Sequence, residues 1–180
     1  MRSGGGKQKG ASFERSVAKA LSLWVTDGKK EDCFWRSAMS GGRSTVHLKK
    51  GKKLDQHAGD ITATSPEGHL LTDFCIIECK HYRNLRLDMF FIHGKGTLAG
   101  FWRKLCKEGT HFKKQPFMVV RQNRIPTLVV TTRLALQELT GFKPEEYDDT
   151  IISVSHAKFR SCVIIKFDTL VSDYYFNRRG

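Results

Sequence analysis

Apolar residues recur every three or four positions near the start of the chain, which is the spacing of one buried helix face. These positions are Phe13, Val17, Ala20, Leu21 and Trp24. Ser12 precedes them and is a suitable N-cap, because its hydroxyl can accept a hydrogen bond from a free N–H of the first turn. The pattern predicts a first helix over residues 12–25.

Shorter apolar runs, bounded by glycine, proline and polar positions, predict strands. The runs cover residues 33–38, 60–64, 73–80, 117–121, 127–131 and 161–167. The Ser-Pro-Glu-Gly segment at 65–68 has the composition of a turn, so the second and third runs are expected to form a β-hairpin. Further helices are expected over 97–111 and 134–139, and residues 85–93 fit either a helix or a strand.

The chain has 180 residues, of which 39% are hydrophobic. This length fits one compact domain, and the apolar fraction is too high for a disordered chain. We expect a flexible basic arm at 1–10 and one domain over 11–180, with a basic loop at 43–58 and a C-terminal extension from about 144.

The chain shows no sign of export or membrane insertion. No apolar run approaches the roughly 20 residues of a membrane-spanning helix, and the first residues lack the apolar core of a signal peptide. The five cysteines include no Cys-x-x-Cys pair, so they are expected to be reduced thiols. A cytoplasmic protein without a membrane partner is the prediction, in the host cytoplasm if the chain is viral.

The charge balance indicates a polyanionic partner. The chain has 31 Lys plus Arg against 18 Asp plus Glu, a net charge of +13. Basic residues concentrate at 43–53 and 103–124, and a surface of that sign attracts nucleic acid. Because positive charge can also serve solubility alone, it indicates a partner and no reaction.

Candidate chemistry stands at the end of the third apolar run. Glu78 and Lys80 are two residues apart, so on a strand they point to the same face. The carboxylate could hold Mg²⁺, which prefers hard oxygen ligands, while the ammonium faces the same phosphate. A Glu-x-Lys triplet is common by chance, and a plain ion pair is the alternative.

The position of Asp60 strengthens the metal hypothesis. In a hairpin centred near residue 69, Asp60 lies opposite Glu78 with Cβ atoms about 5 Å apart, so the two carboxylates can share one metal. If the turn closes tightly near residue 66, Asp60 opposes Asp73 instead, and a bulge must bring Glu78 back.

Four motifs in order resemble a known family. They are Lys9-Gly10-Ala11-x-x-Glu14-Arg15, Arg36-Ser37-Ala38-x-Ser40, Gly59-Asp60 and Cys75-Ile76-x-Glu78-x-Lys80. Together they resemble the archaeal-type Holliday junction resolvases of the PD-(D/E)xK nuclease superfamily, including a viral or phage relative of these enzymes. The resemblance implies an α/β, restriction-endonuclease-like core with a central mixed β-sheet flanked by helices. Its core order would be helix, three-stranded antiparallel meander, helix, strand.

The resemblance also implies roles for individual residues. Asp60 and Glu78 would bind Mg²⁺, or Mn²⁺ as a substitute, with the backbone carbonyl of Cys79 as a further ligand. Lys80 would orient or activate the attacking water and stabilise the pentacovalent phosphate. Glu14, one step off the apolar stripe of the first helix, would assist through water or a second metal.

Ser40, in a glycine-containing loop, would contact the scissile region, with plain turn chemistry as the alternative. Basic side chains would hold DNA phosphates: Lys9, Arg15, Arg36, Arg43, Lys49, Lys50, Lys52 and Lys53. The family pattern is short between the serine and the metal aspartate, whereas here residues 41–59 insert a long basic loop that is expected to follow the DNA backbone. Gly59 stands where the family has proline.

The implied function is a Mg²⁺-dependent, structure-selective DNA endonuclease that resolves four-way (Holliday) junctions in DNA recombination and repair. Two matched cuts suit a twofold homodimer. Two alternatives stay open, a restriction- or repair-type endonuclease on duplex or flap DNA and a non-catalytic basic DNA-binding module.

Overall fold

The computed structural model describes residues 5–37, 59–141 and 149–177. Within them it has six helices and seven strands. The helices are α1 (Gly5–Val25), α2 (Pro66–Thr72), α3 (Leu87–His93), α4 (Gly96–Phe112), α5 (Arg133–Thr140) and α6 (Phe167–Asp173). The strands are β1 (Phe34–Arg36), β2 (Ile61–Ala63), β3 (Cys75–Tyr82), β4 (Gln115–Gln122), β5 (Leu128–Thr131), β6 (Ile152–His156) and β7 (Phe159–Lys166).

Five strands form a mixed central sheet in the order β3-β4-β5-β7-β6. Strands β3 and β4 are parallel, and the other neighbours are antiparallel. The remaining strands, β1 and β2, form a separate antiparallel ribbon in which Arg36 pairs with Ile61. Strand β3 therefore lies at an edge of the central sheet, with the ribbon nearby.

Side chains of β3 alternate between two apolar cores, one on each face of the sheet. Ile77 packs in the core that includes Phe13 and Leu21 of α1. Ile76 packs in the other core with Trp102 of α4. Helices thus cover both faces, and the fold is α/β with a mixed central sheet, as the resemblance implied.

The predicted hairpin between residues 60 and 80 is wrong. Residues 66–72 form helix α2, with Ser65 in the extended conformation of an N-cap and Pro66 at the start, where a missing N–H costs nothing. Gly68 and Leu71 of this helix are buried, and β2 pairs with β1 instead of β3. The three-stranded meander is therefore also wrong, since α2 interrupts it. The alternative pairing of Asp60 with Asp73 fails as well, because Asp73 is the C-cap of α2.

The other predicted elements are present with shifted ends. Helix α1 begins at Gly5, earlier than expected, and so includes part of the segment predicted to be an arm. Residues 85–93 contain the helix α3. Strand β6 and helix α6 are additions that the apolar pattern did not indicate. Across the described ranges, no helix is both long and apolar enough to cross a membrane.

Candidate active site

The outer edge of β3 carries the candidate acidic cluster. The backbone N–H of Asp60 donates to the carbonyl oxygen of Ile77 at 2.7 Å. Its carboxylate oxygen Oδ2 accepts from the backbone N–H of Cys79 at 2.9 Å. These two bonds place Asp60 at the level of Glu78 along β3, although they do not come from a hairpin. Asp60 and Glu78 therefore lie close together, as expected from the sequence, but a hairpin is not what brings them together.

Gly59 has a conformation that explains its departure from the family pattern. Its φ is +91°, and a Cβ added there would lie 2.5 Å from the carbonyl oxygen of Ile77. Proline is fixed near φ −65°, so it could not take this conformation. A glycine is needed to bring Asp60 against β3 by this route.

Lys80 lies between the two carboxylates. Its Nζ forms an ion pair with Oε1 of Glu78 and is 3.6 Å from Oδ2 of Asp60. The same Nζ lies 5.5 Å from the centre of the Phe101 ring, within the range of a cation–π contact. Asp60, Glu78 and Lys80 thus form one cluster, in which two negative charges face one positive charge.

Burial dominates the electrostatics of this cluster. It raises the pKa of Glu78 to about 7, with the nearby charge of Asp60 adding to the rise and Lys80 opposing it. Burial acts to lower the pKa of Lys80, but the attraction of Asp60 and Glu78 outweighs it and the pKa is raised. The ammonium is therefore held in its charged form, and the cluster favours a further cation when both carboxyls are ionised.

The donor atoms of the cluster fit a hard divalent cation. Because the N–H of Cys79 points to Asp60, and the N–H and C=O of a strand residue point to the same edge, the Cys79 carbonyl also faces this side. Within residues 5–37, 59–141 and 149–177, no group of three or more His, Cys, Asp or Glu side chains could hold a metal. Two carboxylates are nevertheless sufficient for Mg²⁺, which commonly keeps waters and substrate phosphates as its other ligands.

Glu14 of α1 is joined through Arg36 to the backbone that contacts Asp60. Its side chain is only 13% exposed and its Oε2 accepts from Nε of Arg36 at 2.9 Å. The residue after Arg36, Ser37, donates its backbone N–H to the Asp60 carbonyl at 2.8 Å. Burial raises the pKa of the Cys79 thiol, and the charges of Asp60 and Glu14 add to the rise, so Glu14 acts electrostatically on the same strand.

The remaining candidate residues are not part of the Asp60, Glu78 and Lys80 cluster in the described structure, or lie outside the described residues. Lys9 and Arg15 are exposed on α1, and Arg36 is the candidate phosphate ligand that the structure joins to Glu14. Several candidates lie outside the described residues: Ser40, Arg43, Lys49, Lys50, Lys52 and Lys53.

Sequence reasoning missed two contributors to the cluster. Phe101 was expected only as part of a helix face, yet its ring lies beside the Lys80 ammonium. Glu108, also on α4, contributes a small further rise to the pKa of Glu78. No local motif marks either residue, because each reaches the cluster only through the packing of α4 on the sheet.

Comparison with known proteins identifies the family. A model of the family described as phage putative PDDEXK endonuclease matches residues 5–177, almost the whole chain. No curated protein and no solved structure gives a significant match. The mixed five-stranded sheet flanked by helices is consistent with the restriction-endonuclease-like fold, and PDDEXK nucleases usually use divalent metals. The chain belongs to the phage putative PDDEXK endonuclease family.

Proposed function

We propose that this protein is a Mg²⁺-dependent DNA endonuclease whose catalytic cluster is Asp60, Glu78 and Lys80. The observation that carries the proposal is that Lys80 contacts both carboxylates at the outer edge of β3. A buried pair of acids is costly for a fold unless something binds it, and here one carboxyl already has its pKa raised.

Asp60 and Glu78, with the Cys79 carbonyl, would hold the divalent ion. When bound, that ion supplies Lewis-acid polarisation of the phosphate and a lowered pKa for a nearby water. Lys80 has three N–H donors and two carboxylate neighbours, so one donor is free to hold the attacking water or a phosphate oxygen.

Glu14 is proposed as an accessory group that accepts a hydrogen bond from a water beside the ion. Its partner Arg36, whose Nε donates to Oε2 at 2.9 Å, holds the carboxylate in place and adds positive charge. Lys9 and Arg15, together with the basic residues of 43–53, are proposed to hold DNA phosphates, in keeping with the net charge of +13.

A four-way junction is the proposed substrate, cut by two subunits of a homodimer. This finer proposal rests on the four ordered motifs and on the symmetry of a junction, which matches two equivalent active sites. The setting would be the cytoplasm, that of the host cell for a phage protein. Duplex or flap DNA is the alternative substrate within the same chemistry.

The first experiment incubates the protein with a labelled junction and with its linear arms, with and without Mg²⁺. We expect cleavage only with Mg²⁺, and a loss of at least about 100-fold in rate for Asp60→Asn and for Glu78→Gln with DNA binding retained. Glu138→Gln, an exposed change on α5, is the control for lost charge and should cut normally. Undiminished cleavage by both site variants would refute the proposed cluster.

The alternatives are separated by substrate and by metal. Symmetric nicking of the junction in preference to linear, single-stranded and flap DNA supports a resolvase, and a preference for another DNA supports a restriction or repair nuclease. Calorimetry tests the non-catalytic module. Failure to detect Mg²⁺ or Mn²⁺ binding that depends on Asp60 favours a protein that only binds DNA.

A further inference from the structure

A basic groove lies beyond the carboxyl ends of β3 and β4. It is an open cavity of about 560 Å³ lined by His81 and by residues 121–126. His81 is the residue directly after Lys80, and in the parallel pairing of the two strands it is the partner of Arg121. The groove therefore begins one residue beyond the acidic cluster along the same strand.

The groove is strongly positive. Arg121 and Arg124 line it, and neither forms an ion pair within the part of the chain that the structure describes. From Lys113 to Arg133 the sequence has five basic residues and no acidic one. Two uncompensated guanidinium groups in a concave site are suited to phosphate, which they can bind through paired N–H donors.

The turn between β4 and β5 holds Arg124 in an unfavourable conformation. Its φ is +66°, a left-handed value that glycine or asparagine adopts more readily than arginine. The turn is closed by a bond from the N–H of Ile125 to the carbonyl of Gln122 at 3.2 Å. Asp27, Arg86 and Lys113 also have positive φ, so the proposal rests on the charges that line the groove and not on the conformation of this turn.

The groove has a defined floor next to helix α1. The side chain of Gln122 accepts a hydrogen bond from the N–H of Leu85 at 2.7 Å, which ties the segment after β3 to the end of β4. The ring of His81 packs against Phe13, with centres 5.5 Å apart. Nδ1 of His81 is buried and has no hydrogen-bond partner among the residues that the structure describes. Phe13 belongs to α1, so the groove lies beside this helix, on the sheet face opposite to the side chains of Glu78 and Lys80.

We propose that this groove binds a phosphate of the DNA backbone close to the bond that is cut. Glu78 and His81 are three residues apart, about 10 Å along the strand, and their side chains point to opposite faces of the sheet, so DNA would reach both around the outer edge of β3, where Asp60 lies. The choice of DNA as the partner rests on the proposed function.

The test compares two double variants of equal charge. Arg121→Gln with Arg124→Asn removes both groove guanidinium groups, and Asn is tolerated at the left-handed turn position. The control, Arg133→Gln with Lys158→Asn, removes two exposed charges elsewhere, one at the start of α5 and one between β6 and β7. Thermal melts establish that both variants are folded.

Binding of a labelled duplex and a labelled junction is measured by fluorescence anisotropy in EDTA over a range of salt concentrations. We expect the groove variant to bind at least about tenfold more weakly, with a salt slope reduced by about 1, because the contact with one phosphate is lost. The control variant should stay within about twofold of the wild type. Equal weakening in both variants, or none in the groove variant, would overturn the proposal.

The design separates this inference from the proposed nuclease activity. Binding in EDTA does not depend on cleavage, so weaker binding by the groove variant supports the groove even if the wild type cuts no DNA. Conversely, if the wild type cuts DNA and the groove variant binds and cuts like the control, the proposed nuclease activity stands and the groove proposal is refuted. Arg121→Gln alone serves as a second variant. If this variant and the double variant both bind DNA like the wild type, the groove proposal is refuted.

Discussion

Replacing Glu78 by glutamine should stabilise the metal-free protein, and should do so only at high pH. The pKa of Glu78 is raised from 4.5 to about 7 by burial and by Asp60. A folded-state pKa above the unfolded one means that the protonated acid contributes stability below pH 4.5. That contribution is lost as the pH rises through 7. At pH 8 the ionised carboxylate therefore costs the fold at most about 3 kcal/mol, because raising a pKa by one corresponds to about 1.36 kcal/mol.

Glutamine has the shape of the protonated acid and never ionises. At pH 8 we expect Glu78→Gln to be more stable than the wild type by about 1–3 kcal/mol, and the raised pKa from which this follows already includes the attraction of Lys80. For a domain of this size that is a rise in Tm of roughly 2–12 °C. At pH 5 the two proteins should differ by less than about 1 kcal/mol, because Glu78 is protonated in the wild type.

Urea unfolding and calorimetric melts in EDTA at pH 5 and pH 8 measure the effect. Glu138→Gln, which removes the same charge from an exposed position on α5, is the matched control and should show no such pH dependence. Adding Mg²⁺ at pH 8 should stabilise the wild type and not Glu78→Gln. The reasoning fails if Glu78→Gln has the same stability relative to the wild type at both pH values, or if the control behaves like it.

Two further changes test how the cluster is built. Gly59→Ala should lower the free energy of unfolding by about 1–3 kcal/mol and reduce Mg²⁺ binding, because its Cβ would meet the Ile77 carbonyl and displace the next residue. Gly10→Ala, in open space within α1, should instead stabilise by about 0.5–1 kcal/mol, and urea unfolding of both variants checks the contrast. Lys80→Met should abolish cleavage while binding Mg²⁺ at least as tightly as the wild type, since a competing positive charge 3.6 Å from Asp60 is gone. Weaker Mg²⁺ binding in calorimetry would contradict that account of Lys80.

The elements that the sequence predicted correctly are those with a repeated period. Helix α1 is buried along Phe13, Val17 and Leu21, β3 begins with three buried residues, and β4 has five buried residues in a row. Strand β6 lacks such a signal, because Val154 is its only buried residue. A mostly exposed edge strand has few buried apolar residues, so its sequence pattern resembles that of a loop.

Helix α2 shows where local chemistry is ambiguous. A serine and a proline followed by an acidic residue start a turn and also start a helix, and both uses rest on the same fixed φ of proline. The outcome depends on Gly68, which lies so close to the Cys33 carbonyl that an added Cβ would be 2.4 Å away. It also depends on Leu71, which is completely buried. Both contacts are tertiary, so the segment alone could not indicate them.

The sequence predicted the candidate site only in part, because tertiary contacts assemble the rest of it. Glu78 and Lys80 share a strand, so their common face follows from the alternation of side chains. The route of Asp60 to β3 depends on the positive φ of Gly59, and the contact of Phe101 with Lys80 depends on the packing of α4. Residue types can indicate the chemistry of a cluster, whereas the backbone path that assembles it is set by the whole fold.

A buried pair of acids lies at the outer edge of β3, and its burial costs the fold stability. Burial and the nearby charge of Asp60 raise the pKa of Glu78 to about 7. A module that bound DNA through charge alone would need exposed basic residues, and nothing in that task requires Glu78 to be buried next to Asp60. Burial of this kind persists where a bound ligand or a reaction makes use of it. The burial of Glu78 next to Asp60 therefore favours a hydrolytic site over a purely adhesive surface.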